Sequence, residues 1–247
     1  MKAFKTIFIT ECKLSLRGID MFIFAICMPV VVILLLGALF GSKPAFDGAP
    51  YSFLEQSFGA VATIAICAGG VMGLPLVISD YRSKKILKRY QTTPTSPALL
   101  LAVQVVIYAL YSFASLVLIY IAGALFFGYQ LRGSWLQFFG AYLLVMLSIF
   151  SIGLLVGGLA PNTKVAGVAA SLLYFPMLLF SGATLPYEVM PPALQKAADL
   201  LPLTQGIKLL KSSSLGLATE SILFHTIIML CLAVICTGIS IRFFRWE

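Results

Sequence analysis

The sequence predicts an all-α integral membrane protein with six transmembrane helices, an N-terminal interfacial helix and an extracellular re-entrant helical hairpin before the last span. Of its 247 residues, 60% are hydrophobic and only 11% are charged, whereas soluble domains average about 45–50% apolar and about 25% charged residues. The apolar residues also form runs of about 20, the length that crosses roughly 30 Å of bilayer hydrocarbon. The apolar excess must therefore face lipid, and a single membrane domain, residues 1–247, accounts for the chain.

The first segment, residues 1–19, has the pattern of a helix that lies along a membrane surface. Phe4, Ile7 and Phe8 recur at helical spacing, and the lysines fall largely elsewhere around the helix. The alternative interpretation is a frayed, solvated terminus.

Six apolar runs follow, and each is long enough to span a bilayer. Proline lies inside the first, second and fifth of them, where we expect kinks because proline removes a backbone hydrogen bond. Gly69–Gly73 and Gly153–Gly157 match the small-x-x-x-small pattern of close helix contacts. The predicted spans cover about residues 21–41, 58–79, 99–127, 136–159, 165–182 and 221–242.

Basic residues are distributed unequally between the two sides of the predicted membrane domain. With the N-terminus inside, the cytoplasmic segments hold twelve Lys and Arg residues and the outside segments hold five. The positive-inside rule therefore places both termini in the cytoplasm. This distribution also explains the net charge of +8, and the basic residues lack the interleaved aromatics of nucleic-acid-binding proteins, so we expect no nucleic-acid partner.

The loop at residues 80–98 combines positive charge with prolines. A helix of about two and a half turns is predicted from Tyr81 to Tyr90, and Pro94 and Pro97 would stop it and set the entry angle of the third span. Its apolar side chains can pack: Ile86, Leu87 and Tyr90. Its basic side chains can face a partner protein or lipid phosphates: Arg82, Lys85 and Arg89. The alternative is a purely topological anchor in anionic lipid.

The stretch at residues 183–216 is too polar to span a membrane alone. It contains four prolines, and its part from Met190 to Leu203 has amphipathic spacing. We therefore expect a short helical hairpin that dips into the outer leaflet and is shielded by protein.

Residues for chemistry or for energy conversion are sparse. The apolar runs hold almost no ionisable side chain that could relay protons, and the chain has no GxxxxGK[ST] loop for ATP. The five cysteines have no CxxC spacing, so no metal site is predicted. We predict that the chain is not an enzyme and that, if it pumps, another polypeptide supplies the energy.

Three features together resemble one known family. An interfacial helix precedes the first span, the segment "DYRSKKILKRYQTTPTS" follows the second, and "FSGATLPYEVMPPALQKAADLLPLTQGIKLLK" precedes the last. The second feature ends in a Thr-Pro-x-Ser signature, and the third contains Pro-x-x-Leu-Gln, Leu-Pro-Leu-Thr and closing lysines. Across nearly its full length the chain resembles the permease subunits of ABC-2 type ABC exporters, the group that contains the daunorubicin-type drug permeases.

The resemblance departs from the family at one motif. The family usually opens its cytoplasmic segment with Glu-Arg-Glu-x-Gly-Thr, and Arg82 matches the Arg of that pattern. The flanking acids, Gly and Thr are replaced here by Tyr81, Ser83, Lys85 and Ile86.

The resemblance implies one half of a dimeric exporter in a prokaryotic cell (plasma or inner) membrane. A homodimeric or heterodimeric permease pair would work with separate ATPase subunits that use ATP and Mg, and this chain would itself bind no cofactor. Alternating access would move an amphipathic or hydrophobic drug, peptide or lipid-like substrate outward. The alternatives are a non-transporting assembly, immunity or regulatory subunit of an ABC complex, and an intramembrane lipid-modifying enzyme.

The resemblance also assigns site residues. Coupling to the ATPase would involve the interfacial helix together with Asp80, Tyr81, Arg82, Lys85, Ile86, Leu87, Arg89, Thr93 and Pro94. The translocation path or dimer interface would involve Thr63, Cys67, Gly70, Ser171, Tyr174, Met177 and Ser181, for each of which ordinary helix packing is the alternative.

Overall fold

The structure, a computed structural model, describes residues 2–41, 43–46, 48–91, 96–184, 187, 190–217 and 222–243. Within these ranges the chain is almost entirely helical, and the only β-pairing is an isolated bridge between Pro44 and Ser52. Six of the described helices are long and apolar enough to cross a membrane, which confirms the predicted fold class. We call them spans 1 to 6: Ile23–Phe40, Phe53–Ser83, Ala98–Phe127, Trp135–Leu159, Thr163–Phe180 and Ile222–Phe243.

Span 2 is the central helix of the bundle. Of its most apolar stretch 83% is buried, against 11% for span 6, and it packs against spans 1, 3, 4 and 5. It begins at Phe53, five residues before the predicted start, because Ser52 and Glu55 form a capping box in which each side chain accepts the other's backbone N–H. A displacement of span 2 would therefore change its packing against four other spans.

The prolines of spans 1 and 2 are accommodated by local widening of the helix. π-helical turns at Ile23–Cys27 and Ala68–Gly73 directly precede the α-helical segments that contain Pro29 and Pro75 near their first residues. A π-turn changes the hydrogen-bond register, so the helix can continue although proline has no N–H to donate. Pro176 instead lies inside the continuous α-helix of span 5.

Glycines allow spans 2, 3 and 4 to approach closely. A Cβ atom on the first residue of the Gly153–Gly157 motif would lie 1.8 Å from the carbonyl oxygen of Gly70, and one on its last residue would lie 3.0 Å from the Cα of Pro75. The Gly69–Gly73 motif packs in the same way against the ring of Tyr108. Both small-residue motifs are thus helix contacts inside the chain.

In the described part of the segment between spans 5 and 6, two α-helices are present: Pro192–Ala198 and Pro202–Leu215. The predicted amphipathic stretch is interrupted at residues 199–201 because Pro202 starts a new helix. We call Pro202–Leu215 the buried helix, since it packs among spans 2, 4 and 6. Its entry into the outer leaflet stays a prediction.

The connections at this end of the bundle are joined by an ion pair between a largely exposed arginine and a buried glutamate. Arg132, between spans 3 and 4, contacts Glu55 of span 2 (Nε to Oε1, 2.7 Å) and donates to the carbonyl of Pro50. The backbone N–H groups of Arg132 and Gly133 donate to the carbonyl of Ser214 in the buried helix. We call this end, with the buried helix, the loop end, and the end with Lys84, Lys85 and Lys88 the basic end.

Candidate functional site

The N-terminal helix, Lys2–Arg17, packs its apolar face against the bundle at the basic end. Ile7 is buried, and the rings of Phe4 and Phe8 stack with their centroids 6.1 Å apart while packing on the core. The three residues predicted to define an apolar face therefore share one. The helix packs mainly against span 3.

A partly buried polar junction joins this helix to spans 2 and 3. The hydroxyl of Tyr81 donates to Glu11 Oε2, and Gln104 Nε2 lies 2.8 Å from the same oxygen and 2.7 Å from the Tyr81 hydroxyl. Tyr81 and Gln104 are only 5% and 3% exposed. We call these three residues the Glu11 junction. Because each member belongs to a different helix, the N-terminal helix cannot move along the bundle without breaking charge-assisted hydrogen bonds.

Sequence reasoning found Tyr81 but missed Glu11 and Gln104. Glu11 is the only acidic residue before Asp20 and follows Ile7 and Phe8 on the apolar face, at i+4 and i+3. A carboxylate in that position signals a buried partner. Tyr81 stands where the family pattern has its first acid, and its hydroxyl donates to the carboxylate of Glu11 in the N-terminal helix.

Arg82 closes the end of span 4. Its side chain is buried, and its guanidinium donates to the carbonyls of Gly158 (3.0 Å), Gly157 (3.3 Å) and Ala160. The last carbonyls of a helix have no partner within the helix and carry partial negative charge, so a planar cation satisfies them well. The sequence predicted that Arg82 shares with Lys85 a surface for a partner or lipid, and this prediction is corrected here. The Arg82 side chain is buried and contacts the end of span 4.

The predicted continuous helix from Tyr81 to Tyr90 is also corrected. Span 2 ends at Ser83, a turn follows, and a separate short helix covers Ile86–Gln91. The break lies at Lys85, which has a left-handed backbone conformation with φ of 56°. The short helix is attached to the bundle through Leu87, which is fully buried, and Ile86, which packs on the core.

Among the described side chains of this region, the exposed positive charge belongs to lysines. Lys84, Lys85 and Lys88 are exposed, and Lys84 also pairs with Asp80 (Nζ to Oδ2, 2.8 Å). We call these three lysines the basic surface. Thr93 and Pro94 lie outside the described residues, as does the side chain of Arg89.

The left-handed turn gives a testable expectation. A non-glycine residue in this conformation carries backbone strain of about 1 kcal/mol or more, so Lys85→Gly should stabilise the chain by a few tenths to about 1 kcal/mol. Lys85→Val, whose branched side chain disfavours positive φ, should destabilise it. Thermal unfolding in detergent measures both, and equal melting temperatures for the two variants would contradict the assigned turn.

The predicted path residues divide into two groups. One group is buried where spans 2 and 5 pack against each other and their neighbours: Thr63, Cys67, Gly70, Tyr174, Met177 and Ser181. Ser171 is half-buried instead and lines a shallow groove of about 770 Å³ on the outer face of span 5, beside Val168, Leu172 and Phe175. Their contact with a transported molecule stays a prediction.

Comparisons with known proteins match this architecture. The model of the family described as ABC-2 type transporter matches residues 2–215. Similar curated proteins include Nodulation protein J of Neorhizobium galegae, 34% identical over 98 residues, and that of Rhizobium leguminosarum bv. viciae, 34% identical over 89 residues. The alignments cover 40% and 36% of this chain and 35% and 34% of the relatives, so the chain spans about a third of the relatives' length.

Proposed function

Because the chain belongs to the ABC-2 type transporter family, we propose that it is the membrane-spanning permease subunit of an ATP-driven exporter. It moves an amphipathic or hydrophobic molecule, such as a drug, a peptide or a lipid-like compound, out of the cell. The ATPase is a separate subunit, and two permease subunits, identical or different, form the transmembrane unit. The N-terminus and C-terminus face the cytoplasm, where the ATPase lies.

The observation that carries this proposal is the Glu11 junction. An exporter powered from outside the bilayer needs rigid contacts between the surface that the ATPase touches and the helices that move. The junction supplies such a contact between the N-terminal helix, span 2 and span 3. Arg82 extends it to the end of span 4.

The coupling step follows from this arrangement. ATP-driven closure of the ATPase pair pushes the N-terminal helix and the short helix Ile86–Gln91 toward the membrane. Leu87 transmits the push to the bundle core, and the Glu11 junction transmits it to spans 2 and 3. Since span 2 is the central helix, its displacement changes the packing of spans 4 and 5 and opens the opposite side.

The basic surface gives the first test of the ATPase contact. Reversing all three charges, Lys84→Glu, Lys85→Glu and Lys88→Glu, should prevent copurification of the ATPase, because the change is six charge units on one small surface. A control reverses two exposed lysines of the loop end, Lys43 and Lys196, a change of four charge units away from the basic surface. Unchanged ATPase recovery with the reversed basic surface would show that these lysines serve only orientation or lipid binding.

The Glu11 junction gives a test of coupling itself. Tyr81→Phe removes the hydrogen bond to Glu11, and Glu11→Gln keeps an acceptor oxygen but removes its charge; a hydrogen bond to a charged group is worth about 1.5–3 kcal/mol. We expect ATP hydrolysis to continue while the ATP-dependent change at the loop end falls about tenfold, the factor that corresponds to 1.4 kcal/mol. The readout is the maleimide labelling rate of a cysteine introduced at Ser57, with and without ATP.

The control for the junction is Tyr120→Phe, which removes a phenolic hydroxyl from the other end of span 3. It should leave the ATP-dependent labelling change intact. If Tyr81→Phe behaves like Tyr120→Phe, the junction holds the helices together without transmitting movement. Transport that persists in cells lacking this chain would favour a regulatory subunit over a permease.

A further inference from the structure

A small cavity lies at the loop end, between the start of span 2, the end of span 5 and the buried helix. Its volume is about 160 Å³. Its polar lining consists mainly of Gln56, Ser181, Tyr187, Thr204, Lys208 and Lys211, and Ala60 and Ile207 add apolar wall. One of these residues, Ser181, belongs to the set that the sequence predicted for the translocation path.

Polar atoms without partners are concentrated around this cavity. Across the described ranges, seven buried side-chain oxygens have no hydrogen-bond partner, and three of the seven line it: Gln56 Oε1, Ser181 Oγ and Thr204 Oγ1. These side chains are 8%, 0% and 1% exposed. Each such atom costs about 1–3 kcal/mol when it is left unpaired. Three in one cavity indicate a site whose partner is a bound molecule.

The charges beside the cavity are already neutralised in part. Lys208 pairs with Asp199 (Nζ to Oδ1, 2.6 Å) and lies 4.5 Å from the centroid of the Tyr187 ring. The Tyr187 hydroxyl donates to the same carboxylate at 2.9 Å. Burial and this hydrogen bond raise the pKa of Tyr187, so the phenol stays protonated at neutral pH. The lining cations are Lys208, which is already paired, and Lys211, and an anionic ligand would also meet a glutamine oxygen that can only accept.

The unpaired atoms suit hydroxyl groups best. Serine and threonine hydroxyls donate and accept, and the glutamine oxygen accepts. A ligand hydroxyl also does both, so a group with several hydroxyls satisfies all three side chains. We propose that this cavity binds a polyhydroxylated head group, such as a sugar ring, of an amphipathic molecule.

The size of the cavity limits what can enter. Sites for drug-sized molecules measure about 300–1,000 Å³, so the 160 Å³ here holds a head group but not a whole drug. The apolar remainder of the molecule would lie along the adjoining span surfaces. This inference rests on the proposed function in one respect, since it names the substrate class of the exporter.

The test uses three amphiphiles with the same eight-carbon chain and different head groups: octyl β-glucoside, octyl sulfate and octyltrimethylammonium. The full chain is placed in lipid nanodiscs, and each amphiphile is kept below the concentration that disrupts them. A cysteine at Ser57, which lines the cavity, is labelled with a water-soluble maleimide and identified by peptide mass. A cysteine placed instead at Lys196, which is exposed at the loop end and does not line the cavity, reports non-specific effects of the amphiphiles on labelling.

Octyl β-glucoside should slow labelling at position 57 by about tenfold, which corresponds to a binding free energy of about 1.4 kcal/mol at the concentration used. The two charged amphiphiles should change the labelling rate less than about twofold. The double variant Ser181→Ala with Thr204→Val should lose this protection. Ser115→Ala, which removes an unpaired buried hydroxyl outside the cavity, should retain it. If the Ser57→Cys chain does not fold, Ala60→Cys serves as the reporter.

Equal protection by all three amphiphiles, or protection that survives the double variant, would overturn the inference. Absence of protection by octyl β-glucoside would also overturn it and would leave water as the partner of the three oxygens. Because the measurement needs neither ATP nor an ATPase, these results leave the exporter assignment standing. Conversely, protection in a chain that recruits no ATPase would contradict the proposed function alone.

Discussion

Replacing Arg82 by methionine is expected to abolish ATP-driven movement and to lower the free energy of unfolding by about 3 kcal/mol or more. The variant leaves the carbonyls of Gly157, Gly158 and Ala160 without their donor, and each buried acceptor left unpaired costs about 1–3 kcal/mol. Methionine fills a similar volume, so the loss comes from hydrogen bonds and charge rather than from a cavity. The end of span 4 would fray and separate from span 2.

Arg82→Lys is the matched variant. Lysine keeps the charge but lacks the planar fork that reaches several carbonyls at once, so we expect a smaller loss of stability and a coupling defect close to that of methionine. Thermal unfolding and ATP-dependent labelling at position 57 measure the two effects separately. Wild-type stability in Arg82→Met would contradict the assigned cap.

Gly153→Val should prevent the chain from accumulating as a folded membrane protein. A Cβ atom at this position would lie 1.8 Å from the carbonyl oxygen of Gly70, a distance that only separation of spans 2 and 4 can relieve. Because span 2 is the central helix, that separation disrupts the packing of the whole bundle. Little of this variant should survive detergent extraction as a monodisperse species.

Gly140→Val on the same span is the control. A Cβ atom there meets nothing within 4 Å, so this variant should fold and extract like the wild type. The comparison cancels the general effect of replacing a span glycine. Similar yields for Gly140→Val and Gly153→Val would contradict the close contact of spans 2 and 4.

The elements of the fold were predictable because lipid imposes length and apolarity on each span. The small-residue motifs Gly69–Gly73 and Gly153–Gly157 were visible as well, since only small residues permit backbone contact. The periodicity of a helix identifies its apolar face but not the neighbour that covers it. The contacts of Arg82 with Gly157 and Gly158 join residues that are 75 and 76 positions apart in the sequence, and no local pattern encodes them.

The sequence predicted where the candidate site lies but not which residues its side chains contact. Five basic residues in eight marked the segment after span 2, yet charge alone does not separate a buried Arg82 from an exposed Lys85. The break in the helix depends on the backbone conformation of Lys85, a residue type that rarely adopts positive φ. The cavity at the loop end depends on three segments that are far apart in the chain, so sequence reasoning found only Ser181.

The most direct test of the exporter assignment is affinity purification of this chain from its native membrane in mild detergent, followed by mass spectrometry of the proteins that copurify. We expect a P-loop ATPase in a ratio of one copy per permease chain, and we expect it to be lost when Lys84, Lys85 and Lys88 are reversed to glutamate. Recovery of no ATPase, from an extract in which other ABC complexes remain intact, would contradict the exporter assignment.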